Sequence, residues 1–181
     1  MLGFPVVLKI QSADILHKSD VGGVQLNLHD SNAVRAAFQQ MSERIRQSRA
    51  DAHIDGVLVS PQRTGTLELL VSVMHDPMWG QILTLGLGGI WVEVLKDSSV
   101  RKLPVQHSDI RAMLHELRGV ALLQGARGLP AVNIDKLIGV IYRIAQVAQS
   151  VQTQLDTLEI NPLLMREDTI EVADVLLTWN K

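Results

Sequence analysis

The fold of this chain is constrained most by the point where its apolar period changes. Between residues 67 and 105 the apolar residues fall in short blocks divided by Asp76-Pro77, Gly86-Leu87-Gly88-Gly89 and Asp97-Ser98-Ser99. That pattern predicts a meander of strands over 67–74, 82–87, 90–95 and 100–105. Beyond residue 105 the apolar spacing lengthens to three and four, which predicts helices over 108–117 and 134–151. Two closing strands are expected over 157–165 and 169–177, joined by Arg166-Glu167-Asp168. Before the meander the pattern predicts strands over 5–10, 24–28 and 56–60. A helix capped by Asp30 or Ser31 is expected to run to Ser48, with Val34, Phe38, Met41 and Ile45 on its apolar face. Runs of strands with helices between and after them argue an α+β fold rather than strict βαβ alternation. Pro61 and the turn-rich Arg63-Thr64-Gly65-Thr66 divide the chain into two expected lobes, 1–60 and 61–181. A sequence that enters a core strand at Pro5 also reads as a piece of something longer.

Composition prunes the functions open to such a fold. The 181 residues are 46% hydrophobic and 20% charged, as in a folded globular protein. Seventeen basic and 19 acidic residues give a formal charge of −2, so no basic excess exists to neutralise a nucleic-acid backbone. No stretch approaches the roughly 20 apolar residues needed to cross a bilayer, and no membrane partner is expected. With no cysteine, disulfides, thiolate metal sites and cysteine nucleophiles are all excluded, which suits a reducing cytoplasm. The histidines at 17, 29, 53, 75, 107 and 115 include no pair at zinc-site spacing. No glycine precedes a lysine, as a Walker A loop requires, and Gly-x-Ser-x-Gly does not occur.

The most specific local pattern lies near the end of the chain. In Leu158-Glu159-Ile160-Asn161-Pro162, strand alternation puts Glu159 and Asn161 on one face and Ile160 on the other. An in-register hairpin would bring Asp174 to the same place. Carboxylate and amide oxygens, completed by phosphate and water, suit Mg²⁺; the plainer alternative is the polar face of an exposed sheet. Lys9 ends an apolar strand, where it either snorkels to solvent, the simpler expectation, or meets an anion. His17 lies in the polar segment His17-Lys18-Ser19-Asp20-Val21-Gly22-Gly23, either as a solvated loop residue or as a phosphoryl carrier on a ring nitrogen. The 86–89 glycines read as a hairpin turn or a backbone anion nest. Glu68 and Glu93 stand oddly inside apolar strands.

In chain order, Phe4-Pro-Val-Val-Leu-Lys-Ile, His17-Lys-Ser-Asp-Val-Gly-Gly-Val, Glu68-Leu-Leu-Val-Ser-Val, Asp76-Pro-Met-Trp-Gly, Gly86-Leu-Gly-Gly-Ile-Trp-Val-Glu and Glu159-Ile-Asn-Pro-Leu resemble the ATP-grasp domain of NDP-forming acyl-CoA synthetases. That family includes ADP-forming acetyl-CoA synthetase and is similar to the β subunit of succinyl-CoA synthetase. The resemblance implies an ATP-grasp fold in which the 1–60 lobe forms part of a nucleotide cleft and the 61–181 lobe carries the magnesium site. It implies ATP or ADP and Mg²⁺ as cofactors, with Lys9 at the phosphates and Asn161 and Asp174 on the metal. Glu159 lies beside them, Glu68 and Glu93 take acidic cleft positions, and Ser60 with its neighbours lines the adenine pocket. His17 would relay a phosphoryl group toward a small carboxylic acid. Coenzyme A would bind on domains absent from this chain, which are expected in the same polypeptide or a partner subunit, within a possible homo-oligomer. Alone, the chain is expected to be incomplete as a ligase. The competing expectation is a non-catalytic, ligand-sensing ATP-grasp-like domain of a protein acyltransferase.

Overall fold

The computed structural model describes residues 2–88 and 97–180. Its contacts divide the chain into two compact units, 1–62 and 63–181. The predicted strand over 90–95, with Glu93, lies outside the described residues.

The first unit is a three-stranded antiparallel sheet with one helix. Strand β1 (Val6–Gln11) runs between β2 (Val24–Leu28) and β3 (Gly56–Pro61). The helix α1 (Ser31–Ser48) starts where Asp30 accepts hydrogen bonds from the Asn32 and Ala33 amides, both at 2.8 Å; a cap of this kind contributes about 1 kcal/mol. Alternation along β1 sends Val6, Leu8 and Ile10 into a core with Ala37, Met41 and Ile45 of α1. The expected helix face holds at Val34, Met41 and Ile45, which lie in or against this core. Phe38, at the edge of that face, is instead 45% exposed, and Ala37 is buried.

The second unit is a larger antiparallel sheet with helices packed on one face. Its strands are β4 (Leu67–Asp76), β5 (Gly80–Leu87), β6 (Ser98–Lys102), β7 (Leu155–Arg166), β8 (Thr169–Val172) and β9 (Val175–Trp179). Their order is β6-β5-β4-β7-β8, with β9 also paired to β7. Helices α2 (His107–Glu116), α3 (Val120–Leu123) and α4 (Ile134–Ser150) occupy the interval where the apolar period lengthens. Leu69, Val71 and Val73 of β4 and Leu83, Leu85 and Leu87 of β5 join Ile110, Met113, Leu137, Ile138 and Ile141 in one buried cluster. Each fully buried side chain of this size contributes about 1.5–3 kcal/mol. The short α3 was not expected; its four residues carry too little period to see.

Asp97, read from the sequence as part of a turn, is 6% exposed. Its carboxylate accepts from the Arg118 amide at 2.9 Å and the Gly119 amide at 3.0 Å, tying the start of β6 to the start of α3. Nearby, Arg101 donates to Glu116, which holds that carboxyl below its ordinary range, with a further bond from Ser99 at 2.5 Å. Among the described residues, no helix is long and apolar enough to cross a membrane.

The closing hairpin departs from the expected pair of continuous strands. The predicted 169–177 strand is two strands, β8 and β9, interrupted at Ala173-Asp174. The cause lies opposite, at Pro162, which has no N–H to give to the ladder. The Ala173 amide still donates to the Pro162 carbonyl at 3.1 Å, and the Asn161 amide donates to the Asp174 carbonyl at 3.3 Å. Register is kept across the break: Ile160 pairs with Val175 and Leu163 with Val172.

Candidate functional site

In the second unit, the hairpin register sets Asn161 directly across from Asp174. Ile160, on the other face, is buried against the helices, which leaves Glu159 and Asn161 on the helix-free side. The Asn161 amide Nδ2 donates to Glu159 Oε1 at 3.4 Å. That bond uses the donor end of the amide and leaves its oxygen free to act as a ligand. Two carboxylate residues and one amide thus neighbour a single ladder position, a donor chemistry of the kind Mg²⁺ takes, and Asp174 has an interaction of its own within the fold. Among the described residues, no group of three His, Cys, Asp or Glu side chains forms a metal cluster, so a third donor would have to come from the amide. Glu68 lies on the same sheet face, four residues along β4 from Ser72, which pairs with Glu159.

The glycine turn after β5 has a definite job at Gly88. Its amide donates to the Glu68 carbonyl at 2.6 Å, so this amide is spent within the sheet and is not offered to an anion. A Cβ at Gly88 would lie 2.7 Å from the Glu68 Cβ and 2.9 Å from its carbonyl carbon. Gly88→Ala is therefore expected to destabilise the protein by about 1–3 kcal/mol, read as a lower denaturant midpoint.

In the first unit, Lys9 does not snorkel: it is 8% exposed. It lies on the sheet face opposite α1, together with Val7. Because Val7 pairs with Ser60 and Lys9 with Leu58, Lys9 and Ser60 share that face. A buried ammonium needs compensation by charge or hydrogen bonds, and Lys9 has an interaction of its own within the fold. His17 is exposed and stands just before a tight turn, Lys18–Val21. The glycines of the 17–23 segment have structural roles: Gly22 ends the turn at φ 68°. Gly23 donates to the Lys18 carbonyl at 2.7 Å, and a Cβ there would lie 2.6 Å from Ile10 Cγ2.

The candidates thus fall in two units: Lys9 and Ser60 share a sheet face in the first, which carries His17 separately before its own turn, and Glu68, Glu159, Asn161 and Asp174 lie in the second. One polar residue escaped the sequence reading. Ser72 is 3% exposed in the middle of β4, and its hydroxyl has no hydrogen-bond partner. A lone serine within Leu69-Leu70-Val71-Ser72-Val73 was its only signal.

The ATP-grasp domain family matches residues 1–178. The chain is 36% identical over 173 residues to the beta subunit of acetate–CoA ligase [ADP-forming] I of Pyrococcus furiosus, a match covering 96% of this chain and 74% of that one. The chain belongs to the ATP-grasp family of ADP-forming acyl-CoA synthetases. The match of this ATP-grasp domain to the 4-hydroxybutyrate–CoA ligase [ADP-forming] of Nitrosopumilus maritimus is 37% identical over 166 residues, or 92% of this chain and 24% of that one. Among solved structures, the dinucleotide-forming acetyl-coenzyme A synthetase 1 of Ca. Korarchaeum cryptofilum, in complex with coenzyme A and Ca-AMPCP, superposes with a TM-score of 0.90 and 33% identity. That match covers 99% of this chain and 78% of the other. A second structure of that enzyme, with coenzyme A and Mg-AMPPCP, has its phosphohistidine segment pointing towards the nucleotide-binding site; its TM-score is 0.79 at 31% identity, covering 98% and 78% of the two chains. The α+β architecture of two antiparallel sheets with flanking helices is an ATP-grasp fold.

Proposed function

We propose that this chain is the ATP-grasp portion of an ADP-forming acyl-CoA synthetase, a ligase that joins a small carboxylic acid to coenzyme A using ATP. The observation that carries the assignment of residues is the β7–β9 ladder, which sets Asn161 opposite Asp174 with Glu159 bonded to the same amide. These three would hold Mg²⁺, while the Lys9 ammonium offsets phosphate charge. Ser60 and the backbone around it line the adenine, and Glu68 takes an acidic position at the site. When bound, the cation supplies charge neutralisation at the phosphates, the main requirement of phosphoryl transfer.

His17 then acts as nucleophile through an unprotonated ring nitrogen. A bond forms from this nitrogen to the γ-phosphorus, the bond to the β,γ-bridging oxygen breaks, and ADP departs with that electron pair. An oxygen of the carboxylic acid next takes the phosphoryl group from the imidazole, giving an acyl phosphate. The thiolate of coenzyme A attacks the acyl carbon and expels inorganic phosphate. The last two steps fall to the CoA-binding and ligase portions, carried on the same polypeptide or on a partner subunit. Both arrangements have relatives: one is named as a separate beta subunit, and another is about four times the matched length.

Calorimetry of the assembled synthetase with a non-hydrolysable ATP analogue tests the site. Asp174→Ala is expected to weaken magnesium-dependent binding by about 100-fold and Asn161→Ala by at least tenfold, since even residues one shell further out commonly cost tenfold. Binding in excess chelator should be unaltered in both variants. An unchanged magnesium dependence in Asp174→Ala would overturn the assignment.

A further inference from the structure

We infer that Ser72 is a positioning residue for the cation site, acting through Glu159; the inference rests on the function proposed above. Ser72 pairs with Thr84 of β5 on one side and with Glu159 of β7 on the other. Directly opposed residues in an antiparallel pair present their side chains on the same face, with Cβ atoms about 4.5–5.5 Å apart. The hydroxyl therefore stands beside the carboxylate that accepts the Asn161 amide. It is also an anomaly. At 3% exposure it is cut off from water, yet it has no partner. A buried hydroxyl in that condition bears its desolvation with nothing gained in return.

A single rotation would relieve it. With a cation drawn to Asn161 and Asp174, the Glu159 carboxylate is fixed at the ladder, and the Ser72 hydroxyl donates to it. The bond would hold Glu159 in one rotamer, and Glu159 in turn holds the Asn161 amide with its oxygen toward the metal. Such orienting contacts commonly govern metal affinity by 10–100-fold. The hydroxyl would thus contribute to cation binding and nothing to the cation-free fold, an uncommon division for a residue in the middle of a strand.

The test compares Ser72→Ala and Ser72→Thr by two measurements. In calorimetric titrations of Mg²⁺ into the assembled synthetase saturated with a non-hydrolysable ATP analogue, Ser72→Ala is expected to raise the Mg²⁺ Kd about tenfold. Ser72→Thr, which keeps the hydroxyl, should stay within about twofold of wild type. In a Glu159→Ala background, Ser72→Ala should have no further effect, as coupled neighbours require. In thermal denaturation of the chain in chelator, Ser72→Ala should melt no lower than wild type. An unchanged Mg²⁺ Kd in Ser72→Ala, a full effect persisting without Glu159, or a lowered melting temperature in chelator each overturns the inference. If the wild-type synthetase shows no magnesium-dependent binding at all, the proposed function fails and takes this inference with it; normal wild-type binding with an insensitive Ser72 refutes the inference alone.

Discussion

Replacing His17 with alanine in the assembled synthetase is expected to abolish transfer of label from [γ-³²P]ATP to protein. Among the described residues of the 17–23 segment, His17 carries the only side chain able to serve as a neutral nitrogen nucleophile near pH 7. Wild-type label should be lost in acid and survive in base, as a phosphorus–nitrogen bond requires. The variant should still bind the magnesium nucleotide, because the proposed cation donors lie elsewhere, on β7 and at the break between β8 and β9. Acyl-CoA formation should fall by at least about 10³-fold, the scale on which loss of a covalent nucleophile is usually felt. Undiminished acyl-CoA formation in His17→Ala would remove the relay from the mechanism. Full nucleotide binding with no labelling in the wild type would favour a sensing domain instead.

The largest expected effect on stability is at Asp97. Its buried carboxylate satisfies the Arg118 and Gly119 amides, and hydrogen bonds to a charged acceptor contribute about 1.5–3 kcal/mol each. Asp97→Ala leaves both donors without a partner and is expected to lose about 3 kcal/mol in chemical denaturation. Asp97→Asn should lose roughly half as much, since one amide oxygen can still accept while the new NH₂ opposes a donor. A loss under about 0.5 kcal/mol for Asp97→Ala would show that water replaces the carboxylate.

The alternation of Val6, Leu8 and Ile10 and the three-to-four spacing after residue 105 made the elements legible, because those periods are imposed by one-sided burial. The six ordered motifs carried the family. What stayed hidden depends on contacts between residues distant in sequence. Nothing local reveals that Asp97 would cap a helix 21 residues later, or that Gly88 would donate to Glu68. Lys9 was expected to reach solvent on the average behaviour of lysines, and its burial is not a local property of the sequence. The break at Ala173-Asp174 was in principle readable, since Pro162 stands opposite in any in-register hairpin. Ser72 is the converse: its identity was in plain view, but an unmet hydroxyl becomes visible only when its surroundings are known.

Among the described residues the two apolar clusters share none: one draws on positions 6–45, the other on positions 69–165. A core formed by a three-stranded sheet and a single helix gives a marginal domain of about 60 residues. His17 and Lys9 therefore belong to the weaker part, while Asn161 and Asp174 are anchored in the sturdier one. If they act as proposed, warming should cost the carrier end first, with turnover lost while the cation seat is still intact.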